Sequence, residues 1–336
     1  MWKGDEMKAI QVNQYANVYD NLEVVNIKRP TPSYSEVLVK VESASLFPSD
    51  DLILNNNYVE KRVLPFIGGS IGVGTVVESG GGFFANRLLN KKVYFVPGIS
   101  RSGTWAEYAL ADGKTSLAVG KGNPEHYINF GNSLTAVALV SDAIKQGHKS
   151  MVVNAAAGNV GRLINYYAKL KNINVINVVR TKQQQALLKN MGAATVILES
   201  DKRFDIKLIA LAQQLNATYA IDSVSGIQLS GLLKNLPNSS CVSVIGNLSG
   251  DEAKVNVMQD VIAKSHTIQG FAIADYLAKQ STFKLLSLLR NAKRLHNQYS
   301  EQFTLGQSLS LEQASTNMSV LFKNSTASLS MIKPHK

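Results

Sequence analysis

The sequence predicts an α/β protein: a doubly wound parallel sheet covered by helices, joined to a β-rich second domain. Three observations predict it. From about residue 123, short apolar runs alternate with segments of helical spacing. One βαβ unit, Ser150 to Lys182, carries a small-residue turn between its first strand and its helix. Residues 7 to about 120 instead hold strand-like runs punctuated by Pro and Gly.

Taken in order, the β-rich part contains Ala9–Val12, Val37–Val41, Gly74–Glu78 and Lys92–Val96. The alternating part then reads helix 133–146, strand 151–153, helix 159–171, strand 174–179, helix 182–191 and strand 194–198. It continues with helix 205–215, strand 218–222, helix 226–235, strand 240–245 and strand 266–271. Runs such as Met151-Val152-Val153 are apolar without alternation, as expected of strands buried on both faces. Beyond residue 272 come a helix around Phe283, Leu285, Leu286, Leu288 and Leu289, a short strand near Phe303 and a helix near 311–322. This tail leaves the sheet pattern and is expected to return to the first domain. The expected domains are therefore 1–122 with 272–336, and 123–271.

The turn Ala155-Ala156-Ala157-Gly158-Asn159-Val160-Gly161 reads as a pyrophosphate site. Gly158 and Gly161 lack a Cβ, which allows close approach of a ligand and tight helix–strand packing. The helix beginning there offers unpaired N–H groups and a positive dipole end. Ala155 stands where the common fingerprint has its first glycine. The end of the next strand selects the cofactor. An NAD site needs an acid about 20 residues beyond the turn for the ribose diol. That place holds Arg180-Thr181-Lys182, with no carboxylate until Glu199. Two cations and a hydroxyl suit a 2′-phosphate. NADPH is the expected cofactor.

Composition bounds the alternatives. Of 336 residues, 45% are apolar and only 18% charged, which describes a compact protein and not a disordered one. The net charge of +11 is spread along the chain and favours polyanionic small ligands. No aromatic-interleaved basic stripe is present, so nucleic acid is not expected. Cys241 is the single cysteine; its neighbours Val242 and Val244 suggest an inert core thiol, and it excludes an internal disulfide. No apolar run reaches membrane-spanning length, so no membrane partner is expected. The start, Met1-Trp2-Lys3-Gly4-Asp5-Glu6, has no apolar signal region, and the expected compartment is the cytoplasm.

The chain also resembles the zinc-free members of the medium-chain dehydrogenase/reductase superfamily, from Met7 to Ile332. The resemblance is carried by Phe47-Pro48-Ser49-Asp50, Leu64-Pro65-Phe66-Ile67-Gly68-Gly69, Gly103-Thr104-Trp105-Ala106-Glu107-Tyr108, Asn132-Ser133-Leu134-Thr135-Ala136, the Ala155–Gly161 turn and Met191-Gly192-Ala193-Ala194. Quinone oxidoreductases and mitochondrial-type 2-enoyl thioester reductases are the most similar branches. The resemblance implies a GroES-like catalytic domain split across both termini, around a Rossmann domain, and a homodimer paired through the Rossmann sheets.

It also implies site residues. Asn57-Tyr58, ahead of Pro65, matches a pair whose tyrosine binds or protonates substrate, and phenol chemistry suits that role. Trp105 is expected to line the cleft. Asn132 and Thr135 match residues near the nicotinamide. Gly246, Asn247 and Leu248 match the loop after the fifth strand, and Phe271 ends the last one. Asp50 is expected to cap a helix beginning at Asp51-Leu52.

Zinc relatives carry a cysteine where this chain has Phe47 and Gly-His-Glu where it has Gly69-Ser70-Ile71. Neither replacement can ligate Zn²⁺, and the five histidines lack ligand spacing. Without that Lewis acid the expected acceptor is already electron-poor, a quinone or α,β-unsaturated carbonyl. Phe271-Ala272 departs from the Phe-Trp of the enoyl reductases and Thr326-Ala327 from a C-terminal Gly-Lys common in the superfamily, which leaves enoyl thioesters as the rival substrate. A cofactor-binding module without turnover is the reading of another class.

Overall fold

The computed structural model describes residues 6–58, 61–97, 103–119, 124–323 and 329–336. The pair Thr326-Ala327 and the first five residues lie outside these. The chain divides into two compact units, Met1–Phe130 with Ser300–Lys336, and Gly131–Tyr299.

The first unit opens with β1 (Glu6–Val12), β2 (Leu22–Lys28), β3 (Glu36–Ser45), α1 (Pro48–Leu54) and β4 (Phe66–Ile67). It continues through β5 (Gly72–Ser79), α2 (Phe83–Asn86), β6 (Lys92–Phe95), β7 (Tyr108–Asp112) and β8 (Leu117–Ala118). The second unit holds α3 (Phe130–Lys145), β9 (Ser150–Val153), α4 (Asn159–Leu170), β10 (Asn174–Val179), α5 (Lys182–Asn190), β11 (Thr195–Leu198) and α6 (Phe204–Gln214). After these come β12 (Tyr219–Asp222), α7 (Gly226–Asn235), β13 (Cys241–Val244), a π-helical stretch (Val257–Ala263), β14 (Thr267–Gly270), α8 (Ile273–Ala278) and α9 (Thr282–Tyr299). The chain then re-enters the first unit with β15 (Leu305–Leu309), α10 (Leu311–Lys323) and β16 (Leu329–Ile332).

In the first unit, β3 lies at the centre of a mixed sheet ordered β15-β16-β3-β5-β6-β8, with β7 also paired to β3; β2-β1-β4 form a small second sheet. Ile10, Val12, Val37, Val39, Val41, Phe95, Trp105, Met318 and Ile332 share one core. The returning β16 pairs Met331 with Ser45 and Ile332 with Ala44. A strand from each end of the sequence thus closes the same sheet.

In the second unit the order is β11-β10-β9-β12-β13-β14, and every neighbouring pair is parallel. The order reverses direction between β9 and β12, where open α/β sheets form a ligand crevice at the strands' carboxyl ends. Every residue of β9 and β12 is buried, which is why neither shows alternation in sequence.

The unit boundaries differ from those expected. The chain passes between units after residues 130 and 299, not after 122 and 271, so α9 belongs to the second unit. Its apolar face buries Leu288, Ala292 and Leu295, and its last residue, Tyr299, stacks on Tyr166 of α4 with ring centroids 3.8 Å apart. That packing outweighs the break in strand–helix alternation.

Candidate functional site

Beyond β9 the chain turns through Asn154–Gly158 into α4. Ala155 is held at φ 45°, the left-handed conformation that the fingerprint's first glycine adopts without strain. The backbone shape therefore survives the substitution. Ala156 N–H donates to Val178 O on β10 at 3.3 Å, and Gly158 N–H to Ala155 O at 2.9 Å. The two glycines serve different needs. A Cβ at Gly161 would lie 2.4 Å from Ala156 O and 2.6 Å from its Cα, so α4 seats on the turn only because that atom is missing. A Cβ at Gly158 would meet only Ala155 O, at 3.2 Å; Gly158 is the N-cap, with ordinary φ of −71°. The first-turn N–H groups of Asn159, Val160 and Gly161 lie at the helix's positive end, as an anion requires. Ala157 completes the turn, 8% exposed.

At the end of β10, Arg180 and Lys182 are exposed. Thr181 is the N-cap of α5, its Oγ1 accepting from Gln184 N–H at 3.2 Å. Gln184 Oε1 in turn accepts the Arg180 N–H at 3.0 Å. Two cations thus flank the positive end of a helix, an arrangement that costs folding free energy until an anion arrives.

A third element was not anticipated from sequence. Asn154 and Asp222 end the two strands flanking the switch point, and their side chains bond to each other. Asp222 Oδ1 also accepts Val224 N–H at 2.9 Å and Ser225 N–H at 3.0 Å, while Asn154 Oδ1 accepts Ser223 N–H at 2.7 Å. These bonds hold Ser225 at φ 62°, ψ −153°, a region nearly reserved for glycine. The signal was a polar residue closing each of two apolar strands, at Asn154 and Asp222.

Of the other expected residues, those after β13 lie against this loop. Leu248 N–H donates to Ser223 O at 3.1 Å and Ser249 N–H to Val224 O at 3.0 Å, which ties Gly246, Asn247 and Leu248 to it. Phe271 follows β14, its N–H on Val244 O at 2.9 Å and its ring 5.0 Å from that of Tyr276. Asn132 and Thr135 occupy the start of α3. Thr135 Oγ1 donates to Gly131 O at 3.0 Å. Beside the turn, a cavity of about 390 Å³ opens between α6 and α7, with Asn154, Val178, Glu199 and Ile227 in its wall.

The first unit alters two expectations. Trp105 does not line an opening. It is fully buried, its Nε1–H donates to Ser45 O at 2.9 Å, and its ring covers Gly68 and Gly69, where any Cβ would lie within 2.5 Å of it. The Leu64–Gly69 and Gly103–Tyr108 segments are one packing lock, with Gly103 N–H on Ile67 O and Trp105 N–H on Gly68 O. Asp50 does cap a helix, but from inside it. α1 begins at Pro48, and Asp50 Oδ2 reaches back to Phe47 N–H at 2.8 Å. Its remaining capacity goes to Ser45 Oγ, Ser70 N–H and Ser70 Oγ. Burial pushes its carboxyl above the usual range, against those donors.

At the positions where zinc relatives carry ligands, this chain has an aromatic ring (Phe47), a serine engaged with Asp50 (Ser70) and an aliphatic side chain (Ile71). Those groups do not fit Zn²⁺. Among the described residues, no three His, Cys, Asp or Glu side chains converge. Tyr58 lies in the segment after α1, 39% exposed.

The fold is that of the medium-chain dehydrogenases/reductases, the superfamily the sequence resembles. Residues 159–291 match the family described as zinc-binding dehydrogenase, a span that excludes Phe47 and Ser70. In sequence the chain is 25% identical to the mitochondrial enoyl-[acyl-carrier-protein] reductase of Arabidopsis thaliana, over 85% of this chain and 79% of that one. It is 25% identical to human quinone oxidoreductase, over 80% of each. In structure it superposes with a TM-score of 0.89 on a Mesorhizobium loti protein provisionally assigned as an NADPH:quinone reductase, at 27% identity, covering 99% of this chain and 100% of the other.

Proposed function

We propose that this protein is an NADPH-dependent, zinc-independent oxidoreductase that transfers hydride to a quinone or another α,β-unsaturated carbonyl. One observation carries the cofactor: Arg180 and Lys182 flank the positive end of α5 where an NAD site would present an acid. The Gly158–Gly161 turn and the first turn of α4 would hold the pyrophosphate, Arg180, Thr181 and Lys182 the 2′-phosphate. Gly246, Asn247, Leu248 and Phe271, with Asn132 and Thr135, would line the nicotinamide end. When bound, NADPH supplies the hydride. The residues of this chain bind it, orient it and exclude water.

The acceptor reading rests on chemistry. The Asp50–Ser70 pair is hydrogen-bonded internally and offers no zinc ligand set to stabilise an alkoxide, which favours a substrate that spreads the arriving charge itself. Tyr58 is the proposed proton donor to the resulting enolate, since a half-exposed phenol hydroxyl can donate at neutral pH. The similarity to a quinone oxidoreductase and to enoyl reductases supports this class, and enoyl thioesters are the alternative substrate. A homodimer goes with this reading. β14 is an edge strand, and Val257, Met258 and Ile262 beside it in the chain are 58–63% exposed. The reducing cytoplasm is the proposed compartment, on the free, buried thiol of Cys241.

The test is NADPH consumption with a quinone series beside a series of 2-enoyl-CoA thioesters. Turnover with quinones or simple enones supports the proposal, and turnover with enoyl-CoA alone transfers it to the alternative. Saturable NADPH binding with no consumption across the panel overturns the enzyme reading. In the same assay Tyr58→Phe should slow enone reduction several-fold more than quinone reduction, because protonation at carbon needs more help. Equal rates for both would remove Tyr58 from the reaction.

A further inference from the structure

In the second unit, the turn after β9, the end of β10 and the cavity between α6 and α7 adjoin one another. Asn154 opens the turn, Val178 lies just before Arg180, and Glu199 follows β11 with its N–H on Val179 O at 2.9 Å. Asn154, Val178 and Glu199 all stand in the wall of that cavity of about 390 Å³, a volume within the range of small-molecule sites. A dinucleotide with its pyrophosphate at the Gly158–Gly161 turn and its 2′-phosphate on Arg180 has its adenosine ribose between those two points. The base that this ribose carries is then directed at the cavity.

The lining suits a flat heterocycle. Val178, Phe204 and Leu208 give it apolar surface, and Ile227 of α7 adds a side chain that is 81% exposed. Gly231 also lines the cavity, and nothing lies within 4 Å of the place where a Cβ would stand. Glycine is a poor helix former, yet α7 keeps one where a side chain would enter the cavity. Two carboxylates belong to the wall. Asp205 is engaged: it accepts Asn235 Nδ2–H at 2.9 Å and pairs with Lys234 at 3.8 Å. Glu199 is half-buried, and its carboxylate has no hydrogen bond or ion pair among the described residues. An ionised carboxylate is an acceptor only, so the group it recognises on a ligand must be a donor.

Resting on the dinucleotide reading, we infer that Glu199 makes the site selective for adenine by accepting a hydrogen bond from the exocyclic amine of the base. Hypoxanthine and guanine carry a carbonyl oxygen at that ring position, which sets acceptor against acceptor and leaves the carboxylate desolvated and unpaired. The apolar wall accepts any purine; the carboxylate tells them apart. The choice of base and the choice between NADPH and NADH are thus set by different residues, Glu199 for the first and Arg180 with its neighbours for the second.

The experiment is titration calorimetry of the full chain with NADPH and with its hypoxanthine analogue, reduced nicotinamide hypoxanthine dinucleotide phosphate. The wild type should bind NADPH about tenfold more tightly than the analogue. In Glu199→Gln that ratio should fall to about twofold or less, because an amide can accept from the amine and donate to the carbonyl. Gly231→Leu should weaken both ligands by about tenfold by filling the cavity. The unliganded variant should be at least as stable as the wild type in denaturant unfolding, since leucine is the better helix former. Glu199→Gln decides alone if Gly231→Leu misfolds. Equal affinity of the wild type for the two ligands, a Glu199→Gln variant with the wild-type ratio, or a folded Gly231→Leu variant that binds both undiminished would each overturn the inference and leave the dinucleotide reading standing. Failure of the wild type to bind either dinucleotide would overturn that reading and the inference together.

Discussion

Removing the Arg180 guanidinium should weaken NADPH binding, spare NADH binding, and leave the cofactor-free protein slightly more stable. A hydrogen bond to a charged group contributes about 1.5–3 kcal/mol when sheltered. Arg180 is exposed, so screening places its contribution at the lower end, about 1–2 kcal/mol, or roughly 5–30-fold in the dissociation constant. NADH has no 2′-phosphate and should lose less than about twofold. The backbone bond from Arg180 N–H to Gln184 Oε1 remains in Arg180→Ala, so the cap of α5 is not disturbed. Taking a cation from the positive end of α5 should add about 0.3 kcal/mol to folding stability. Titration calorimetry at low and high salt gives the affinities, and denaturant unfolding without cofactor gives the stability. Equal losses for both dinucleotides, or a destabilised variant, would refute the assignment of Arg180 to the 2′-phosphate.

Gly161→Ala should behave differently: a Cβ 2.4 Å from Ala156 O forces α4 off the turn, costing about 1–3 kcal/mol of stability and weakening NADPH and NADH alike. Ala155→Gly should stabilise the protein by about 0.5–1 kcal/mol in denaturant unfolding, by relieving a left-handed alanine; a loss would mean that the strain is absent. Burial lowers the pKa of both His148 and His266 below the usual 6.5. The unfolded chain therefore takes up protons first, so stability is full above pH 6.5 and declines as pH falls toward the folded values. Replacing both with Gln should flatten that decline, as read from unfolding free energies between neutral and mildly acidic pH.

What the sequence revealed follows from the kind of force involved. Met151-Val152-Val153 announces a buried parallel strand because burial on both faces leaves only apolar residues, and Val175–Val179 does so with one exception, Asn177, whose amide is paired with that of Asn165. The glycine turn and Arg180 are legible because each satisfies a local need, one steric and one electrostatic. β2 was missed because every residue of it is at least partly exposed, so no clean alternation marks it. β16 pairs with β15 across an intervening helix and with the distant β3, and four residues carry little pattern. Trp105 was misread for a related reason. Gly103-Thr104-Trp105 looks like a site motif, yet its glycine and its ring form a lock with Gly68 and Gly69, and nothing local states which partner covers an indole. The placement of α9 likewise depended on the Tyr299–Tyr166 stack, between residues with no signature of contact.

The Asn154–Asp222 bond joins residues 68 positions apart, too far for any motif to declare, and it explains a feature that packing alone does not. Ser225 occupies a conformation costing about 1–3 kcal/mol, and Gly226 after it is also at positive φ, 55°. Three backbone N–H groups, those of Ser223, Val224 and Ser225, are engaged by the two side chains. At about 1 kcal/mol or more for each bond to a charged or polar acceptor, they offset the strain. The carbonyls of Ser223 and Val224 in the same loop are taken by Leu248 and Ser249 N–H, so the loops after β12 and β13 are tied together. A sheet edge built this way presents its backbone already ordered beside the Gly158–Gly161 turn. Little conformational entropy is then left to lose when a dinucleotide binds, which is the condition for holding a reactive ring in one orientation.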